Sequence, residues 1–202
     1  MADKLITPEF RASYVFLFTP QENKQDDGKV KKEYTVTAIF PKGADLKPLQ
    51  AAAMKALSDK YGADQSKWPT NLRSPFRKCK ERWKNEGGKQ TIPPGYEDGD
   101  AVFITLKASE KYRPGVVDAA VQDIIEPRIL YSGCYCRASV RPYVYDNKGN
   151  KGVSFGLNNV QKLRDGEPLG GVSRPTDDFE PVADAAGEGT GGGMTAATIF
   201  GT

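Results

Sequence analysis

From Cys134 to Tyr145 the chain alternates two kinds of side chain. Cys134, Cys136, Ala138 and Val140 are small and apolar, whereas Tyr135, Arg137, Ser139, Arg141, Tyr143 and Tyr145 are planar, cationic or polar. In an extended strand a period of two sends the first set to one face and the second to the other. Tyrosine rings are planes on which bases stack, and arginines carry charge and forked donors for phosphates. The outer face therefore has the chemistry of a single-stranded nucleic-acid contact. Lys151 and Phe155 on the returning strand are expected to widen that surface across the hairpin. Cross-strand pairing of the same side chains is the plainer alternative. Pro142 marks an edge or a bulge within the strand.

A second constellation runs from Trp68 to Lys84. Arg73, Arg77, Lys78, Lys80, Arg82 and Lys84 are interleaved with Trp68, Phe76 and Trp83 against one acid, Glu81. A basic loop with aromatics can close over a polyanion backbone; alternatively, the loop is solvated and its tryptophans pack on the core.

Other chemistries are poorly served. The chain has no histidine, which removes Ser-His-Asp and Cys-His catalysis in their usual forms and every histidine-ligated metal site. Cys79, Cys134 and Cys136 make neither a disulfide framework nor a good zinc site, and read as small buried residues in a reducing compartment. The Gly-Gly pairs at 87–88 and 170–171 lack the strand-turn-helix setting of phosphate or dinucleotide loops. Glu97, Asp98 and Asp100 could hold a divalent cation, but they sit at a glycine turn before a strand, where acids are ordinary. No catalytic residue, metal or cofactor is expected.

Charge is divided sharply along the chain. All 29 Lys and Arg lie within residues 1–174, while five of the 26 acids (Asp177, Asp178, Glu180, Asp184 and Glu188) lie beyond Arg174, leaving the body at +8 against +3 for the whole. Residues 175–202 carry no base, a glycine run and an apolar end at Ile199-Phe200. A basic body with an acidic tether is the pattern of a polyanion binder that keeps a competing anion on its own chain.

The elements that must hold these residues are mostly strands. Phe10 to Thr19 and Glu33 to Phe40 read as an antiparallel pair, the first ended by Pro20. Asp45 looks like an N-cap, followed by Leu46, Leu49, Ala53, Ala56 and Leu57 at helical spacing, with Gly62 as the stop. Residues 63–100 are irregular, a connection long enough to be functional or mobile. Ala101 to Lys107 is a strand; Arg113 to Pro127 is ambiguous, with room for a helical turn. Gly133 to Asp146 and Gly152 to Asn158 form a hairpin around Asn147-Lys148-Gly149-Asn150, with three to five loop residues expected. Five strands and one helix predict a mainly β fold: an OB-like five-stranded Greek-key barrel with one inserted helix, long irregular loops and a disordered C-terminal tail.

Gly133 to Tyr145 and Lys151 to Gly170 together resemble the signature region of a tailed-phage family of single-stranded DNA-binding proteins. That resemblance extends over most of residues 1–175. It implies an OB-fold core, an acidic C-terminal tail, and coating of single-stranded DNA without catalysis. The tail departs from the family's usual pattern, because its acids precede a glycine run and Phe200 is followed by Gly201-Thr202.

The sequence thus predicts a binding domain over residues 1–174 and a flexible acidic glycine-rich tail over 175–202. Single-stranded DNA is the expected ligand, with little sequence specificity, during replication and recombination. Replication proteins are the expected partners of the tail, through its five acids and Phe200. The rival readings are a single-stranded RNA-binding module, a duplex DNA binder, a metal-dependent nuclease and a phage structural protein. A duplex reader fits poorly, since the expected helix carries only Lys47, Lys55 and Lys60. The N-terminus lacks a signal-like apolar stretch and no run approaches the ~18 apolar residues of a membrane span. The expected location is the cytoplasm, that of the host cell if the chain is phage-encoded.

Overall fold

The computed structural model describes residues 5–24, 30–147 and 149–170. Five strands carry the architecture: β1 (Phe10–Lys24), β2 (Val30–Phe40), β3 (Val102–Ser109), β4 (Tyr135–Asn147) and β5 (Asn150–Arg164). β1 pairs antiparallel with β2, and β2 with β3. β3 meets β5 in parallel at Lys107 opposite Gly156, β5 pairs antiparallel with β4, and β4 returns to β1 at Cys136 opposite Phe10. The order β1-β2-β3-β5-β4-β1 closes on itself, which leaves these strands no open edge and makes a barrel of OB connectivity.

Alternation fills the barrel. Phe10, Val36, Ala38, Phe40, Ile104, Leu106, Val140, Phe155 and Val160 turn inward and are buried. The helix α1 (Lys47–Tyr61) lies between β2 and β3 in sequence and buries Leu49, Ala53 and Leu57. It starts at Lys47 rather than directly after Asp45; the Asp45 carboxylate accepts the Lys47 N–H at 3.1 Å, and Pro48 occupies the first turn.

The excursion between α1 and β3 is more ordered than its composition promised. It holds one-turn 3₁₀ segments at Gln65–Lys67 and Cys79–Arg82, a two-residue strand Arg77–Lys78 on β3, and a small hairpin of Lys84–Glu86 with Lys89–Thr91. It roofs a second apolar cluster of Ile39, Cys79, Tyr96, Ala101 and Phe103 on the outside of the barrel. The ambiguous stretch after Arg113 supplies a short strand, Gly115–Val117, parallel to β5, and a 3₁₀ turn at Pro127–Ile129.

Several boundaries differ from the sequence reading: β2 begins at Val30 rather than Glu33, and β5 runs to Arg164 rather than Asn158. β1 runs past Pro20 to Lys24, because Pro20 falls in the register shift between the pairs Phe16–Thr35 and Gln21–Glu33, where a residue without an N–H is tolerated. The β4–β5 hairpin is tighter than expected, with Asn147 paired to Asn150 and Gly149 at φ +84°. The boundary expected at 174/175, the five tail acids and Phe200 lie outside the described residues.

Register also corrects Phe155. Its partner across the hairpin is Pro142, whereas Tyr143 faces Ser154. One residue of register moves a side chain to the other face, and Phe155 is fully buried with its ring edge-on to Phe76 at 5.9 Å. It is core, not a nucleic-acid contact. Phe155→Ala is expected to cost about 3–5 kcal/mol of stability, read as a lower denaturation midpoint with an unchanged slope.

Candidate nucleic-acid interface

A groove crosses the outside of the barrel where β3, β5 and β4 lie side by side. Gly156 on β5 pairs with Lys107 on β3 and with Arg141 on β4. A Cβ at Gly156 would come within 3.4 Å of the Arg141 side chain. With no side chain there the floor stays low between two cations. Lys31, Glu33, Tyr112, Arg113 and Tyr143 complete the walls, enclosing about 750 Å³. Four cations face one acid, and two tyrosines stand at the rim, Tyr112 at 72% and Tyr143 at 40% exposure.

The acid organises the cations. Glu33 is buried, and its two carboxylate oxygens meet the Lys31 ammonium at 2.7 Å and the Lys107 ammonium at 3.3 Å. Burial alone would raise its carboxyl pKa; the Lys31 hydrogen bond and the Lys107 charge outweigh that and hold it below the ordinary value. Arg113 rests over the Phe18 ring at 5.8 Å. Among the described residues neither Arg113 nor Arg141 makes an ion pair, so both guanidinium groups can serve an incoming anion.

The structure separates the tyrosine–arginine face of β4 into two halves. A register shift in β5 between Leu157 and Asn159 lies opposite Val140 and Ser139, and Ser139 is buried. Arg141 and Tyr143 fall in the groove. Tyr145 follows on the same face, its ring 6.5 Å from that of Tyr143, and lines a separate depression with Arg73, Phe76 and Arg77. Tyr135 and Arg137 belong to the other end of the strand. The Arg164 guanidinium lies 3.4 Å from the Tyr135 ring centre, and Arg137 Nε donates to Gln161 at 2.7 Å. Tyr135 there lines a cavity of about 300 Å³ shared with Glu9, Arg11, Glu97 and Asp98. Lys151 sits opposite Asp146 and pairs with it at 3.1 Å, off the face that Tyr143 and Tyr145 share.

Most of the basic loop is spent on holding itself in place. Arg77 pairs with Glu81 at 2.9 Å and lies over Phe103 at 5.3 Å. Lys78 Nζ donates to the Asp100 carbonyl at 2.7 Å. Arg82 is wedged among Phe103, Tyr14 and Tyr96 at 5.0, 5.5 and 6.0 Å, and Trp83 Nε1 donates to the Tyr96 carbonyl at 2.8 Å. Arg82 and Trp83 therefore pack the loop onto the barrel instead of facing the groove. Lys80 is exposed, as is Arg73, which is held through its main chain: its N–H donates to the Lys151 carbonyl at 2.9 Å and its carbonyl accepts the Val153 N–H at 3.3 Å.

The acids at 97–100 cap turns. Glu97 accepts the Gly95 N–H, and Asp98 accepts those of Asp100 and Ala101. Among the described residues no group of three His, Cys, Asp or Glu side chains is placed to hold a metal ion. The cysteines are buried, and burial pushes Cys79 up to about 11 and Cys134 and Cys136 up to about 12, so they stay neutral thiols. Lys31, Lys107, Tyr112 and Arg113 line the candidate groove and are not among the residues the sequence singled out. Lys111-Tyr112-Arg113, an aromatic between two cations, was the available signal.

Several known proteins are similar to this chain. Residues 3–190 match the model of the family described as Enterobacter phage Enc34, ssDNA-binding protein. A protein called putative protein p50, from Acyrthosiphon pisum secondary endosymbiont phage 1, is 30% identical over 184 residues, covering 88% of this chain and 93% of its own length. Among solved structures, the single-stranded DNA-binding protein of bacteriophage Enc34 in complex with ssDNA superposes with a TM-score of 0.60 at 19% identity, over 83% of this chain and 89% of that one. Gp2.5, the single-stranded DNA-binding protein encoded by bacteriophage T7, gives 0.56 at 15% identity, over 93% and 100%.

Glu33 lends the groove an acid sensitivity whose sign is fixed. A carboxyl whose folded pKa is depressed contributes stability that is present above its unfolded pKa and is lost as pH falls through the folded value. Glu33→Gln is therefore expected to be less stable than wild type at neutral pH, with the gap closing well below pH 4.5, the ordinary glutamate value. Denaturant titrations at the two pH values measure it.

Proposed function

Because the chain belongs to the family of the Enterobacter phage Enc34 single-stranded DNA-binding protein, we propose that it coats single-stranded DNA through the groove between β3, β5 and β4. The observation that carries this reading is the pairing of two exposed rings, Tyr112 and Tyr143, with Lys31, Lys107, Arg113 and Arg141 around one glycine-floored channel. A single strand offers both of the things this surface takes. Its phosphates exchange condensed counterions for the four cations, and its unpaired bases present flat faces to the tyrosines. Neither contact reads base edges, so the binding is sequence-tolerant. The chain is a binding protein and not an enzyme. The setting we assign to it is phage DNA replication and recombination in the cytoplasm of the infected cell.

The two kinds of contact separate experimentally. Tyr112→Ala and Tyr143→Ala are each expected to weaken oligonucleotide binding by about 1–3 kcal/mol while leaving the salt dependence nearly unchanged. Arg141→Ala is expected to lower the log–log salt slope by about 0.7, the share of one phosphate on a single strand. Fluorescence titrations of single-stranded DNA, single-stranded RNA and blunt duplex across a salt series check both. Equal or tighter binding of duplex overturns the proposal.

We assign residues 175–202 a competing role. Five acids on a glycine-rich tether supply a local anion for the basic groove, and single-stranded DNA displaces it. The displaced segment then becomes available to replication proteins, with Phe200 as its apolar anchor. Removal of residues 175–202 is expected to tighten single-stranded DNA binding most at low salt, where screening is weakest. Identical affinities of the full and shortened chains at low salt contradict the competing role.

A further inference from the structure

A second depression lies farther along the same face, toward the tip of the β4–β5 hairpin, beyond Tyr145. It measures about 530 Å³ and is lined by Arg73, Ser74, Phe76, Arg77, Glu81 and Tyr145. Tyr145 stands two residues from Tyr143 on the same face, with ring centres 6.5 Å apart and planes tilted by 55°. Two rings so placed offer consecutive platforms to neighbouring bases. Glu81 neutralises Arg77, whereas Arg73 makes no ion pair among the described residues and is exposed.

The depression exists because the excursion before β3 is zipped to the hairpin. Arg73 exchanges main-chain hydrogen bonds with Lys151 and Val153, astride Gly152. A Cβ at Gly152 would lie 2.6 Å from the Arg73 carbonyl oxygen and 2.7 Å from the Tyr145 hydroxyl. Such contacts force the backbone or the ring to move, so only glycine lets the loop, the hairpin and Tyr145 meet.

We infer that this depression is a second subsite for the same DNA strand, with Tyr145 stacking a base and Arg73 holding a phosphate. The inference rests on the reading of the first groove as a single-strand site. A strand leaving that groove over Tyr143 passes Tyr145 and reaches Arg73. Short oligonucleotides fill the first groove alone, and longer ones engage both sites.

Oligothymidylates of about 4 and about 12 nucleotides, within the 4–16 span of single OB folds, test this by fluorescence anisotropy with the full chain. Arg73→Glu is expected to weaken the longer oligonucleotide about tenfold and to leave the shorter within about twofold. Arg141→Ala weakens both. Since Arg73 is held by its main chain, replacing its side chain spares the zipper. Gly152→Ala, compared at equal thermal stability, is expected to lose the same length-dependent gain without removing any contacting side chain. Equal effects of Arg73→Glu on both lengths, or on neither, overturn the second subsite while the first groove stands. Failure of the wild type to bind either length overturns both.

Discussion

Everything at the site depends on where the barrel closes. β3 and β5 run parallel and meet at one residue pair, Lys107 and Gly156, and Gly156 also faces Arg141 on β4. Closure thus brings cations from two strands that are distant in sequence to either side of a residue with no side chain. The pair Lys107–Gly156 is therefore both a structural joint and the floor of the groove. A larger residue at 156 would press on Arg141 and fill the channel at the point where a polyanion must lie.

The chain carries more positive charge than the groove uses, and the structure sorts it. Glu33 draws Lys31 and Lys107 to one lip. Glu81 takes Arg77, Asp100 takes Lys78 through its carbonyl, and three rings take Arg82. These contacts fasten a long insertion over the apolar cluster around Phe103 and Tyr96. Among the described residues Arg141 and Arg113 in the groove and Arg73 near the hairpin tip make no ion pair, and they mark the course we assign to the DNA. An unpaired guanidinium group can neutralise a phosphate and release that phosphate's condensed counterion without first giving up an acid partner.

Local patterns were legible in the sequence, and their spatial consequences only partly so. The alternation in β4, the inserted helix and the five strands could be read because period and propensity are local. Tyr135 and Arg137 shared the parity of Arg141 and Tyr143, yet the irregularity opposite Ser139 and the packing of Arg164 on Tyr135 take them out of the groove. Phe155 and Lys151 were misplaced because hairpin register, which decides the face, was set by a tighter turn than composition indicated. Lys107 and Gly156 could not be joined from sequence, since a parallel contact between separated strands leaves no local trace. Arg82 and Trp83 looked like exposed binding residues in a basic run; their partners Tyr14, Tyr96 and Phe103 come from other elements.

We assign single-stranded DNA to the groove between β3, β5 and β4. Photocrosslinking of an oligothymidylate substituted with 5-iodouracil, followed by mass spectrometry of the linked peptides, tests it most directly. Crosslinks at Tyr112 and Tyr143 are the predicted result. Crosslinks confined to Tyr135, or to the small hairpin at residues 84–91, would contradict it.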